Sequence, residues 1–130
     1  MSRYEPVYYR IAGTHTNVGT SEETTLQLPQ SGVNARSEVW LLVSFHYVRS
    51  GGTAGFYAPS VGQAASFTGI NTRLSYSSTA VGTTINDVFS TPIPCLTDTN
   101  GRLYFSPGFV GVSTDNDGEY EFWFQKARGS

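Results

Sequence analysis

Residues 38–49, Glu38-Val-Trp-Leu-Leu-Val-Ser-Phe-His-Tyr-Val-Arg49, form the one long, strongly apolar run in the chain. β-Branched and aromatic residues dominate it and Ser50-Gly51-Gly52 stops it abruptly, which reads as a strand rather than a helix. Strict alternation puts Val39, Leu41, Val43, Phe45 and Tyr47 on one face and Trp40, Leu42, Ser44, His46 and Val48 on the other. The first face has candidate core partners in Leu26, Leu28, Leu103, Phe105, Phe122 and Phe124. The second has no obvious cover within the chain, so Trp40, Leu42 and Val48 are expected at a subunit interface.

The flanking sequence supplies further strands. Tyr4–Ile11 alternates and is followed by a polar loop from Ala12 to Glu23, with residues 1–12 a candidate assembly strand or arm. Thr24–Leu28 alternates again before Pro29-Gln30-Ser31-Gly32 breaks the chain. Short strands are expected at Ala54–Ala58 and Arg73–Ser77, with Pro59–Ser66 between them as an excursion suited to binding. Asp87–Ser90 and Pro92–Leu96 are proline-marked and belong to an edge or a connection. The Asn100-Gly101 turn feeds Arg102–Phe105, Pro107-Gly108 turns into Phe109–Val112, and Asp115–Gly118 opens a last strand. In that strand Tyr120, Phe122 and Phe124 point one way and Glu119, Glu121, Trp123 and Gln125 the other. About eight strands with regular turn signals predict an all-β chain, a single antiparallel β-sandwich of jelly-roll type over residues 1–130.

Composition narrows the function. Charged residues are 14% of the chain and aromatics also 14%, with net charge -2 and Lys126 as the only lysine. Such a chain has no basic stripe for a phosphate backbone, which argues against nucleic acid. No run approaches the ~18 apolar residues of a membrane-spanning helix, so no membrane role is expected. The sparse charge favours oligomerisation or docking on a larger assembly. Cys95 is alone, so no internal disulfide can form, and Met1–Pro6 lacks the apolar core of a signal peptide, which makes synthesis in a cytoplasm the expectation.

Catalytic and metal signatures do not hold together. Cys95, between Pro94 and Leu96, reads as a small buried hydrophobe, His46 as a packed or interface imidazole and His15 as a loop residue. Asp98-Thr-Asn-Gly101 and Asp115-Asn-Asp-Gly118 resemble calcium loops, but an EF-hand with Gly118 sixth would need carboxylates where Ser113 and Phe124 stand. Asx-Gly turn chemistry explains both without an ion. Glu119 and Glu121 lie side by side on one strand rather than across a cleft. No catalytic residue, metal or cofactor is therefore assigned. Eight tyrosines and two tryptophans exceed what a core needs, so some stack on ligands or fill seams, with Tyr57, Tyr76 and Trp123 the candidates for stacking on sugar rings.

Trp40-Leu-Leu-Val-Ser-Phe45, Asn100-Gly-Arg-Leu-Tyr-Phe105 and Glu119-Tyr-Glu-Phe-Trp-Phe-Gln-Lys-Ala127 together resemble the small virion accessory proteins of tailed bacteriophages: head-decoration, cement and fibre-head modules. The resemblance implies a homotrimer without a cofactor, made in the host cytoplasm and bound in the virion to capsid or fibre proteins. It carries over no functional residue. A carbohydrate-binding module that recognises host glycans is the alternative.

Overall fold

The computed structural model describes residues 7–18, 24–30, 36–52, 55–63, 72–77, 79–80, 82–110 and 115–127. Among them the period-2 segments form eleven strands: β1 (Tyr8–Val18), β2 (Thr24–Gln27), β3 (Val39–Gly51), β4 (Phe56–Tyr57), β5 (Ser60–Gly62), β6 (Thr72–Ser75), β7 (Thr79–Ala80), β8 (Ile85–Leu96), β9 (Arg102–Ser106), β10 (Phe109–Val110) and β11 (Asn116–Lys126). Two four-stranded sheets, β1-β11-β3-β8 and β2-β9-β5-β6, make an antiparallel β-sandwich. A small third sheet, β10-β4-β7, is built from two-residue strands. In the two larger sheets the pairing is nested: β1 with β11, β2 with β9, β3 with β8 and β5 with β6.

The core lies between the two larger sheets. Leu26, Leu28, Leu103, Phe105, Phe122 and Phe124, expected there from sequence, are all buried. Phe105 of the second sheet reaches Phe45, Tyr47 and Phe122 of the first at ring-centroid distances of 5.8, 5.5 and 5.1 Å. Such offset and edge-on pairs add to the stabilisation from area burial alone.

The central strand departs from strict alternation. Trp123 stands opposite Ser44 and Phe124 opposite Leu42, so Val43 is an extra residue in β3, a β-bulge that flips the faces of everything before it. Trp40 is consequently 2% exposed and Leu42 0% exposed, both inside the core, while Phe45 and Tyr47 also face inward beyond the bulge. This corrects the expectation that Trp40 and Leu42 lack cover within the chain. Val48 does lie on the outer face, half-buried opposite Glu119.

Two other expectations change, and that of an edge or a connection at Asp87–Ser90 and Pro92–Leu96 is met as an edge. β1 continues through Ala12 to Val18 where a loop was expected, and Tyr8–Ala12 pair in register with β11 as a regular strand; residues 1–6 lie outside the described residues. β5 falls inside the expected excursion and pairs with both β6 and β9, burying Val61; residues 64–70 lie outside the described residues. Asp87–Ser90 and Pro92–Leu96 belong to one edge strand, β8, whose register jumps between Val88 and Ile93. The jump contains Pro92, and Pro94 follows, the positions a sheet tolerates for proline.

A polar aromatic cluster fills one end of the core. His15 faces inward from β1, its Nε2 2.8 Å from the Tyr47 hydroxyl and its ring against Phe105, Phe109 and Tyr120. Gly118 makes room for it, because a Cβ there would collide with the Tyr47 hydroxyl and lie 2.6 Å from His15 Nε2. Burial pushes the Tyr47 hydroxyl far above the ordinary tyrosine range, reinforced by Tyr57 and opposed by Arg49. The folded chain therefore keeps this proton above pH ~10, where the unfolded chain loses it, so stability falls as pH rises from there. Tyr47 alone contributes a slope of up to about 1.4 kcal/mol per pH unit. Urea denaturation between pH 9 and 11.5 is expected to show this decline, and Tyr47→Phe should make it shallower.

Candidate functional site

The register assigns the paired residues of the first sheet to its two faces. Inward rows such as Ile11–Phe122–Phe45 are the core. The outward rows are Tyr8–Gln125–Leu41–Pro94, Arg10–Trp123–Ser44–Val88, Ala12–Glu121–His46–Asn86 and Thr14–Glu119–Val48. This outer face is the candidate site. Tyr8 is 54% exposed, Trp123 38% and Val88 77%, with Leu41 and Val43 half-buried among them. Arg10 Nε and Glu121 Oε2 pair at 2.6 Å beside Trp123. Beyond the aromatic end the face dips into an open depression of about 560 Å3, lined by Arg10, Thr14, His46, Asn86, Glu119 and Glu121.

Glu119 and Glu121 are neighbours on β11, ~7 Å apart by the strand rise, with no described acid opposite them across a cleft. Cys95 is buried on the inner face of the sheet whose outer face carries His46, so the two form no nucleophile–base pair. The Asp98 turn uses its own carboxylate. Oδ1 accepts from the N–H groups of Asn100 (2.8 Å) and Arg102 (2.9 Å), and Oδ2 from the Tyr104 hydroxyl (3.3 Å). Among the described residues no group of three His, Cys, Asp or Glu side chains is placed to hold a metal ion.

The three stacking candidates are not brought together. Tyr57 is 0% exposed, packed between Tyr47 and Phe109. Tyr76 lies half-buried against Phe45 and donates its hydroxyl to Asp87 Oδ2 at 2.5 Å; burial, then that bond and the carboxylate's charge, push its pKa up. Only Trp123 stands on the outer face. The alternation of β11 identifies it in the sequence, and that of Tyr4–Ile11 sets Tyr8 opposite the core-facing residues of its strand, whereas Val88 emerges only once the register of β8 is known.

A second recess, about 260 Å3, opens at the other end of the sheet between Val7, Tyr9, Pro29, Gln30, Trp40 and Lys126. Its floor is structural. Trp40 packs against Tyr9 at 6.3 Å and lies under the Lys126 ammonium at 5.1 Å, which pairs with Glu38 at 2.6 Å.

No family model and no curated protein matches the chain. Among solved structures it is similar to a chain of the disulfide-linked pili of Bacillus endospore appendages, at 13% identity and TM-score 0.41, over 97% of this chain and 91% of that one. It is also similar to a chain of infectious bursal disease virus, Gx strain (9% identity, TM-score 0.37), and to the VP2 subviral particle of that virus (16% identity, TM-score 0.37). These matches cover 97% and 93% of this chain but 33% and 34% of the viral chains. None of the three assigns a role to a residue of this chain.

Proposed function

We propose that this chain is a non-enzymatic structural protein of a virus particle, of the tailed-bacteriophage decoration, cement or fibre type. It self-associates as a homotrimer through the outer face of its first sheet, and loops at the sandwich ends engage capsid or fibre proteins. The observation that carries this reading is the exposure of Tyr8, Trp123 and Val88 on one sheet face, flanked by half-buried Leu41 and Val43. An antiparallel sheet whose outer face meets water is ordinarily polar there, and contiguous apolar surface marks an interaction site. Low overall charge agrees with it. The nested strand pairing is, in our reading, a jelly-roll wrap, an architecture of capsid and lectin domains; that is an analogy of fold.

Light scattering is the test. The wild-type chain is expected in multiples of three copies, and Trp123→Glu, which places a charge in the seam, should abolish the trimer while shifting the melting temperature by no more than a few degrees. A wild-type monomer at every concentration would refute the proposal.

One observation favours a glycan-binding reading as the second choice. Trp123 stands beside the polar depression, so an aromatic platform adjoins hydrogen-bonding groups that suit sugar hydroxyls. Glycan binding lost in Trp123→Ala while the oligomer persists would favour it.

A further inference from the structure

We propose that β1 is a second association surface, whose free edge pairs antiparallel with the β1 edge of another copy about a two-fold axis, joining two four-stranded sheets into one of eight strands. The inference rests on the self-association reading but uses the sheet's edge instead of its face.

The two larger sheets end in four edge strands: β1, β8, β2 and β6. Unpaired edges invite association, and proteins blunt them with proline, bulges, charge or brevity. β8 carries Pro92, Pro94 and a register jump; β2 and β6 have four residues each. β1 is the least blunted of the four: its one register shift falls between His15 and Val18, beyond the regularly paired stretch from Tyr8 to His15. It runs for eleven residues without proline, Arg10 is its one Lys, Arg, Asp or Glu, and among the described residues no strand lies on its far side.

The ladder shows which groups are free. The Lys126 N–H donates to the Val7 carbonyl at 2.8 Å, one step before the Tyr8–Gln125 pair. In an antiparallel ladder both main-chain groups of such a residue point the same way, and alternate residues point the other. Tyr9, Ile11, Gly13 and His15 therefore face β11, while Tyr8, Arg10, Ala12 and Thr14 aim their N–H and C=O groups away from the sheet.

A second copy fits this edge because β1 is the one strand of the four with the length and freedom from proline to match it. Arg10 restricts the register, since an axis at Arg10 would set like charges opposite each other. An axis at Ala12 puts Arg10 opposite the partner's Thr14, within the regular stretch of the strand and with small side chains at the centre.

Thr14→Pro removes an outward N–H and spares the ladder to β11. In a Trp123→Glu chain, whose face-to-face contact is disabled, the remaining species is expected to be a dimer at high concentration that Thr14→Pro converts to a monomer with little loss of thermal stability. Ala12→Cys should give a covalent dimer under mild oxidation, whereas Phe56→Cys, exposed on the third sheet, should not. A monomeric Trp123→Glu chain without Ala12→Cys cross-linking would overturn the edge proposal and leave the trimer standing. A wild-type dimer dissolved by Thr14→Pro but untouched by Trp123→Glu would support the edge and defeat the face.

Discussion

Trp40→Ala is expected to lose about 3–5 kcal/mol of folding stability, the cost of removing a large aromatic side chain from a packed interior. Against a typical total of ~5–15 kcal/mol this is a large share of what holds a domain together. The side chain sits on the inner face of β3, with Tyr9 beside it and the Lys126 ammonium over its ring. Its truncation opens a void and also removes the cation–π contact. Chemical denaturation measures the loss. The molecules that remain folded should keep the wild-type oligomeric mass, because Trp40 takes no part in the seam. A Trp40→Ala chain that is fully stable but dissociated would mean that the bulge at Val43 is misplaced and that Trp40 faces a neighbouring subunit.

Lys126→Ala should cost about 3 kcal/mol or more by a different route. The Glu38 side chain is 1% exposed and its Oε2 lies 2.6 Å from Lys126 Nζ; Arg36 stands farther off at 3.9 Å and is well exposed. Removing one member of a buried pair leaves a desolvated charge behind, which is far more costly than replacing both. A Glu38→Gln, Lys126→Met double variant is accordingly expected to recover most of the loss. Denaturation curves for the singles and the double would show it, and additive losses would count against the pair. Lys126 also contacts Trp40, so changes at 40 and 126 are expected to be strongly non-additive.

The sequence reading succeeded where hydrophobic period and turn chemistry agree. The last strand was legible because Tyr120, Phe122 and Phe124 alternate with Glu119, Glu121 and Trp123 without interruption, and the Asn100-Gly101 turn because Gly101 adopts φ 77°. β1 was only half legible. Its second half, Gly13-Thr-His-Thr, is held by pairing with β11 and by inward packing of His15, and a polar tetrapeptide carries no local signal of either. β5 hid for the same reason: three residues sustained by neighbours on both sides.

The candidate site depended on one residue that no period can show. A single bulge exchanges the two faces of half a strand, and an apolar run rich on both faces gives no internal cue to its place. Strict alternation therefore identified an uncovered face on this sheet but assigned it Trp40 and Leu42 in place of Leu41 and Val43. Val48, beyond the bulge, and Trp123, on a regular strand, keep the faces that alternation gave them.

Sedimentation equilibrium of the wild-type chain beside Trp123→Glu, across a range of concentrations, tests the central claim most directly. The account predicts wild-type masses in multiples of three chains, and for Trp123→Glu nothing larger than two, with nearly unchanged thermal stability. A wild-type monomer, or an oligomer whose mass Trp123→Glu leaves unaltered, would contradict it.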